Sequence, residues 1–95
     1  MPDLLQIRRV GFIPASASSP SRTLLGYVSI YLAEIGRLDG LTLHRARSGG
    51  YGLNYPARKD GAGKRHPYFR PKNRATREAI ERAVIEALRG RGVIQ

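Results

Sequence analysis

The hydrophobic period changes once along this chain, and that change restricts the fold more than any other feature. From Leu24 to Leu32 apolar and polar residues alternate at period two, with Val28, Ile30 and Leu32 on one face and Tyr27, Ser29 and Tyr31 on the other. Alternation of that kind marks a half-buried strand. Leu41 and Leu43 repeat it against Thr42 and His44 within 38–45, and Tyr51, Leu53 and Tyr55 share a face of a further strand whose other face carries only Gly52 and Asn54. The stretch 4–10, with Leu5, Ile7 and Val10, predicts a first strand with one irregularity near Arg8 and Arg9. After Asn73 the period becomes helical, because Ala79, Ile80, Ala83, Val84, Ala87 and Leu88 fall on one face at three-and-four spacing. Asn73 is placed to cap this helix and Gly90 to end it. Arg77 with Glu81, and Glu78 with Arg82, are opposite charges at i,i+4, each stabilising by roughly 0.2–0.5 kcal/mol. Strands first and a helix last predict an α+β fold: a four-stranded antiparallel sheet of two hairpins with the C-terminal helix on one face.

The connections are read from turn chemistry. Asp39-Gly40 predicts a turn leading into the third strand, and Arg47-Ser48-Gly49-Gly50 predicts the hairpin turn after it. The segment 14–22 is small, serine-rich and bounded by proline, so a flexible loop is expected there. From 56 to 72 three prolines and two glycines interrupt any period, and a long loop is expected.

That second loop is also where charge collects. The 95 residues hold 17 Lys and Arg against 7 Asp and Glu, a net charge of +10. Nine of those ten net charges come from 45–77, where ten basic residues face Asp60 alone. An excess so localised is matched best by a polyanion, which makes nucleic acid the leading partner class. Arg58, Lys59, Lys64, Arg65, Arg70 and Lys72 in the loop, with Arg74 and Arg77 in the first turns of the helix, are the candidate phosphate contacts. Tyr55, Tyr68 and Phe69 offer stacking faces among them. Two other readings fit the same residues. One is a solvated basic surface with Tyr68 and Phe69 in the core. The other is an interaction module that binds an acidic protein partner.

Signals for catalysis are weak. Gly61-Ala62-Gly63-Lys64 lacks the glycine that a phosphate-binding loop needs where Arg58 stands and the hydroxyl it needs where Arg65 stands. His66 has no acidic neighbour close in sequence, and His44 alternates with Leu43 as a surface residue would. Asp39 and Asp60 each precede glycine, as turn residues do, while Glu78, Glu81 and Glu86 lie on the charged side of the helix. No acid–base pair emerges, so no enzyme is expected. Without cysteine there is no disulfide or thiolate metal site, and two histidines do not complete a zinc shell, so no cofactor is expected. No apolar run reaches the ~18 residues of a membrane span, and Met1-Pro2-Asp3 does not open like a secretory signal. The expectation is a cytoplasmic protein with no membrane partner, one domain spanning 1–95, whose small core oligomerisation would enlarge.

Taken in order, Ile7-Arg8-Arg9-Val10 on the first strand, Val28-Ser29-Ile30-Tyr31-Leu32 on the second, Pro56-Ala57-Arg58-Lys59 after the fourth, and Asn73 with Thr76-Arg77 at the helix start resemble the stage V sporulation protein G (SpoVG, septation protein) family of small bacterial nucleic-acid-binding regulators. The likeness covers most of the chain. It implies an α+β fold, a homodimer joined by strand pairing, DNA binding with transcription regulation, and RNA binding in some members. The family's basic pair after the proline, implicated in DNA binding, carries over onto Arg58 and Lys59 with the order of Lys and Arg reversed. Ala57 stands where the family has a serine, and His66 stands where it has its next arginine. The region 35–50 matches the family poorly, and the insert at 14–21 is longer than in the family.

Overall fold

The computed structural model describes residues 7–16, 18 and 21–94. Expectations that fall on 4–6 and on Ala17, Ser19 and Pro20 lie outside the described residues. The chain runs β1 (Ile7–Pro14), β2 (Leu24–Leu32), β3 (Gly36–Arg45), β4 (Tyr51–Asn54), β5 (Ala57–Lys59), β6 (Arg65–Pro67) and α1 (Arg74–Gly90). The first four strands form one sheet in the order β1-β2-β3-β4 with every neighbouring pair antiparallel. The α+β class and the four-stranded antiparallel sheet with a C-terminal helix are therefore present. The two expected hairpins, β1–β2 and β3–β4, are joined by the pairing of β2 with β3 into a continuous meander, and β1 runs on to Pro14, pairing with β2 from Ile7↔Leu32 to Pro14↔Gly26.

Period two sorts the side chains as the sequence predicts. Val10, Val28, Ile30, Leu41, Leu43 and Leu53 point to one face and are buried there, while Tyr27 on the other face is 47% exposed. Helix α1 lays Ile80, Val84 and Leu88 onto the buried face at three-and-four spacing. Each such side chain contributes roughly 1.5–3 kcal/mol by leaving water. Close approach of β1 to β2 depends on Gly26, where a β-carbon would lie 2.5 Å from both the Ile13 carbonyl oxygen and the Phe12 ring.

Two turn assignments move. Asp39-Gly40 forms a bulge inside β3, where the register with β2 slips between Val28 and Ile30 and Gly40 takes φ +84°. An extra residue in a strand needs a left-handed position, which glycine supplies at little cost. The β2–β3 turn instead occupies 33–35, with Glu34 at φ 61° and Gly36 at φ 141°. The second turn lies where expected: Ala46 N–H donates to the Gly50 carbonyl at 2.8 Å and Gly49 N–H to the Ala46 carbonyl at 3.0 Å.

Both ends of α1 are closed by specific contacts. Asn73 Oδ1 accepts the Thr76 amide at 2.8 Å, satisfying one of the free donors of the first turn. Gly90 is still helical, and the left-handed stop comes at Gly92 (φ 74°), whose N–H donates to the Arg89 carbonyl while Val93 N–H reaches the Leu88 carbonyl, each at 3.0 Å. Arg91 Nη1 donates to the Val10 carbonyl at 2.6 Å, tying the helix end to β1. Glu78 pairs with Arg74, at 3.0 Å, and not with Arg82. Among the described residues no helix is long and apolar enough to cross a membrane.

Candidate nucleic-acid interface

The segment expected to be a long loop contains a second small sheet. Strands β5 and β6 pair antiparallel through Ala57↔Pro67, Arg58↔His66 and Lys59↔Arg65, and the Tyr68 amide extends the ladder to the Pro56 carbonyl at 2.9 Å. Asp60 builds the turn between them. Its Oδ1 accepts the amides of Ala62 and Lys64, each at 2.9 Å, and its own N–H donates to the Lys64 carbonyl at 2.9 Å. Gly63 takes φ 83°, which closes the turn. Three-residue strands are too short to show a period, and only the Asp-Gly-x-Gly chemistry at 60–63 marked the hairpin in the sequence.

His66 has an acidic partner after all, since folding of the hairpin brings its Nε2 to 2.8 Å from Asp60 Oδ2. No third ligating group joins this pair among the described residues. The hydrogen bond with His66 first, and then the amides of Lys64 and Ala62, hold the Asp60 carboxyl below its ordinary value of 3.8. A carboxyl depressed in the folded state stabilises it fully above about pH 4 and loses that contribution as the pH falls through the folded value. Exchange protection of the Ala62 and Lys64 amides is expected to fall on acidification from pH 6 to pH 3, faster than that of the Leu43 amide in the sheet. An Asp60→Asn chain is expected to lose this acid sensitivity, and equal protection at both pH values in the parent chain would refute the role given to Asp60.

All eight candidate cations are solvent-exposed. Pairing register divides them. Arg58 shares one face of the β5–β6 ribbon with His66, while Lys59 and Arg65 share the other. Lys64 stands at the tip, and Arg70 and Lys72 lie on the path into α1. Arg74 and Arg77 occupy the first turns of the helix, which hold no acidic residue in the first turn itself. Arg74 and Arg77 lean on Glu78 and Glu81 at 3.0 and 3.7 Å. The other six have no carboxylate partner among the described residues. Exposed i,i+4 pairs such as Arg74–Glu78 hold their cations weakly, by ~0.3–0.5 kcal/mol.

Three of the arginines, Arg65 from β6, Arg70 from the connection and Arg77 from α1, meet around a groove that Tyr55, Pro67 and Phe69 also line. Arg65 Nη2 donates to the Tyr55 carbonyl at 2.7 Å, fixing the ribbon against the end of β4. The rings of Tyr55 and Phe69 lie 5.6 Å apart and tilted, so both belong to the structural floor of the region. Tyr68 is 68% exposed and free to stack, unlike Phe69. Sequence reasoning missed the groove, because its members come from four separate places in the chain and only the tertiary fold unites them. No protein-family model matches the chain, and no curated protein or solved structure matches it.

Proposed function

We propose that this chain is a nucleic-acid-binding regulatory protein that grips DNA, and RNA in the same manner, through the phosphate backbone. The observation that carries the proposal is the set of six exposed cations without carboxylate partners among the described residues, Arg58, Lys59, Lys64, Arg65, Arg70 and Lys72, gathered on a ribbon and its approach to a helix N-terminus. A two-stranded ribbon fits the major groove of B-DNA, where phosphates rise on both sides, and cations on both ribbon faces suit that setting. Free amides at the start of α1 add a further attraction for phosphate. Resemblance to the stage V sporulation protein G family agrees with this reading. It extends the proposal to a non-enzymatic cytoplasmic bacterial regulator acting as a homodimer joined by strand pairing, for which β1 and β4 are the outer strands of the sheet.

Titration against duplex DNA, single-stranded DNA and RNA at several salt concentrations tests the proposal. With six phosphate contacts the logarithm of affinity is expected to fall against the logarithm of salt with a slope of about −5, or roughly 10³-fold between 50 and 200 mM. A shallow slope, or no binding to any of the three at low salt, overturns it and favours an acidic protein partner on the same surface.

A further inference from the structure

The two faces of the β5–β6 ribbon differ in kind. Arg58 stands directly opposite His66, and Tyr68, whose amide bonds to the Pro56 carbonyl at 2.9 Å, follows His66 on the same face. All three side chains end in a planar π-group: a guanidinium, an imidazole and a phenol. Tyr68 is 68% exposed, the His66 side chain is 36% exposed, and Arg58 is exposed as well. The next residue, Phe69, instead packs against Tyr55 with ring centroids 5.6 Å apart, so the two neighbouring rings are divided between structure and solvent. The opposite face sets Lys59 directly against Arg65, a pair of like charges that costs stability until an anion lies over it.

Spacing decides what the planar face can take. Successive same-face residues of a strand lie about 6.6–6.8 Å apart, twice the ~3.4 Å rise of a nucleic-acid strand in a stacked helix. The rings at 66 and 68 therefore match two neighbouring bases that have been drawn apart. In a duplex the base faces are closed by stacking and only their edges reach the grooves, so such bases belong to an unpaired strand. Arg58, opposite one ring and diagonal to the other, is placed for the phosphate that links the two bases. Asp60 Oδ2 meets His66 Nε2 at 2.8 Å, at the edge of the ring, so the imidazole is held in place beforehand and less ordering is left to binding.

We propose that the Arg58–His66–Tyr68 face of the ribbon binds two consecutive unpaired nucleotides of a single strand, with one base stacked on Tyr68, its neighbour on His66 and the phosphate between them on Arg58. This inference rests on the nucleic-acid reading and adds a preference to it: a strand whose base faces are free gains stacking that a paired strand does not.

The test uses the full chain with an eight-nucleotide strand, as DNA and as RNA, the same strand with abasic residues, which keeps every phosphate, and a blunt duplex. With either sugar the natural strand is expected to bind about tenfold more tightly than the abasic one, since stacking is lost with the base. Tyr68→Ala is expected to remove about fivefold of that preference, and Tyr68→Phe, which keeps the ring, to restore it. Because Tyr68 stands mostly in solvent, both variants are expected to keep the urea midpoint of the parent, which separates a binding defect from unfolding. Lys59→Gln, on the opposite face, is expected to weaken natural and abasic strands by the same factor and to flatten their salt slope by about 0.7. Equal affinity of the natural and abasic strands with the steep slope retained, or a Tyr68→Ala loss that is the same on both, overturns the stacking face and leaves the backbone grip standing. No binding to any probe at low salt, the duplex included, overturns both.

Discussion

A Leu43→Ala chain is expected to lose about 2–5 kcal/mol of stability, a large part of the ~5–15 kcal/mol that a folded domain has in total. Leu43 is 0% exposed, sits opposite Leu53 on β4 and belongs to the single apolar cluster that joins the sheet to α1. Removing its outer methylenes forfeits their transfer out of water and leaves a cavity inside a cluster whose members are themselves buried and have little room to move into it. In urea denaturation the midpoint is expected to fall at unchanged slope. Tyr27→Ala, on the opposite and partly exposed face of the sheet, is the control and is expected to cost far less. A Leu43→Ala stability within ~1 kcal/mol of the parent would contradict the packing described.

Exchanging Arg58, Lys59, Lys64 and Lys72 together for glutamine is expected to weaken duplex binding by about 10²- to 10³-fold at 0.2 M salt and to flatten the salt slope from about −5 to about −2. Each of the four is exposed and without a carboxylate partner among the described residues, so no folded-state ion pair is broken. Arg65 is kept because it holds the Tyr55 carbonyl at 2.7 Å, and its loss would confuse binding with folding. Four glutamines in the exposed face of α1 or at other basic positions, such as Arg22, Arg82 and Arg89, provide the comparison. If that set weakens binding as much as the ribbon set, net charge alone explains the affinity and the ribbon has no special part.

The elements that could be read in the sequence are those long enough to show a period. Nine residues of β2 and seventeen of α1 each repeat their apolar spacing several times, and their buried faces fall where the spacing puts them. Strands β5 and β6, at three residues each, repeat nothing. Asp-Gly serves turns and bulges alike, so 39–40 pointed to the wrong one, while the actual turn relies on Glu34 in a left-handed conformation that glutamate gives no warning of. Similarly, Gly90 and Gly92 compete as helix stops, and only the backbone angle at Gly92 separates them. At the candidate site the cluster of cations was visible as charge. Its division between ribbon faces was not, because that depends on the pairing of Lys59 with Arg65. The groove at Tyr55 was not visible either, because residues 54 to 77 converge there only after β4, β6 and α1 have docked.

Helix α1 brings Ile80, Val84 and Leu88 to a core whose remaining members all occur at or before Tyr55. During translation, then, the meander emerges with its apolar side bare, and roughly 30 further residues must be added, over about 1.5–6 s at 5–20 residues per second, before the lid for that side exists. The segment made in that interval includes the cationic ribbon, whose charge repels that of a neighbouring copy. On the proposed reading, the stretch that grips a polyanion would thereby also guard the unfinished protein against its own copies.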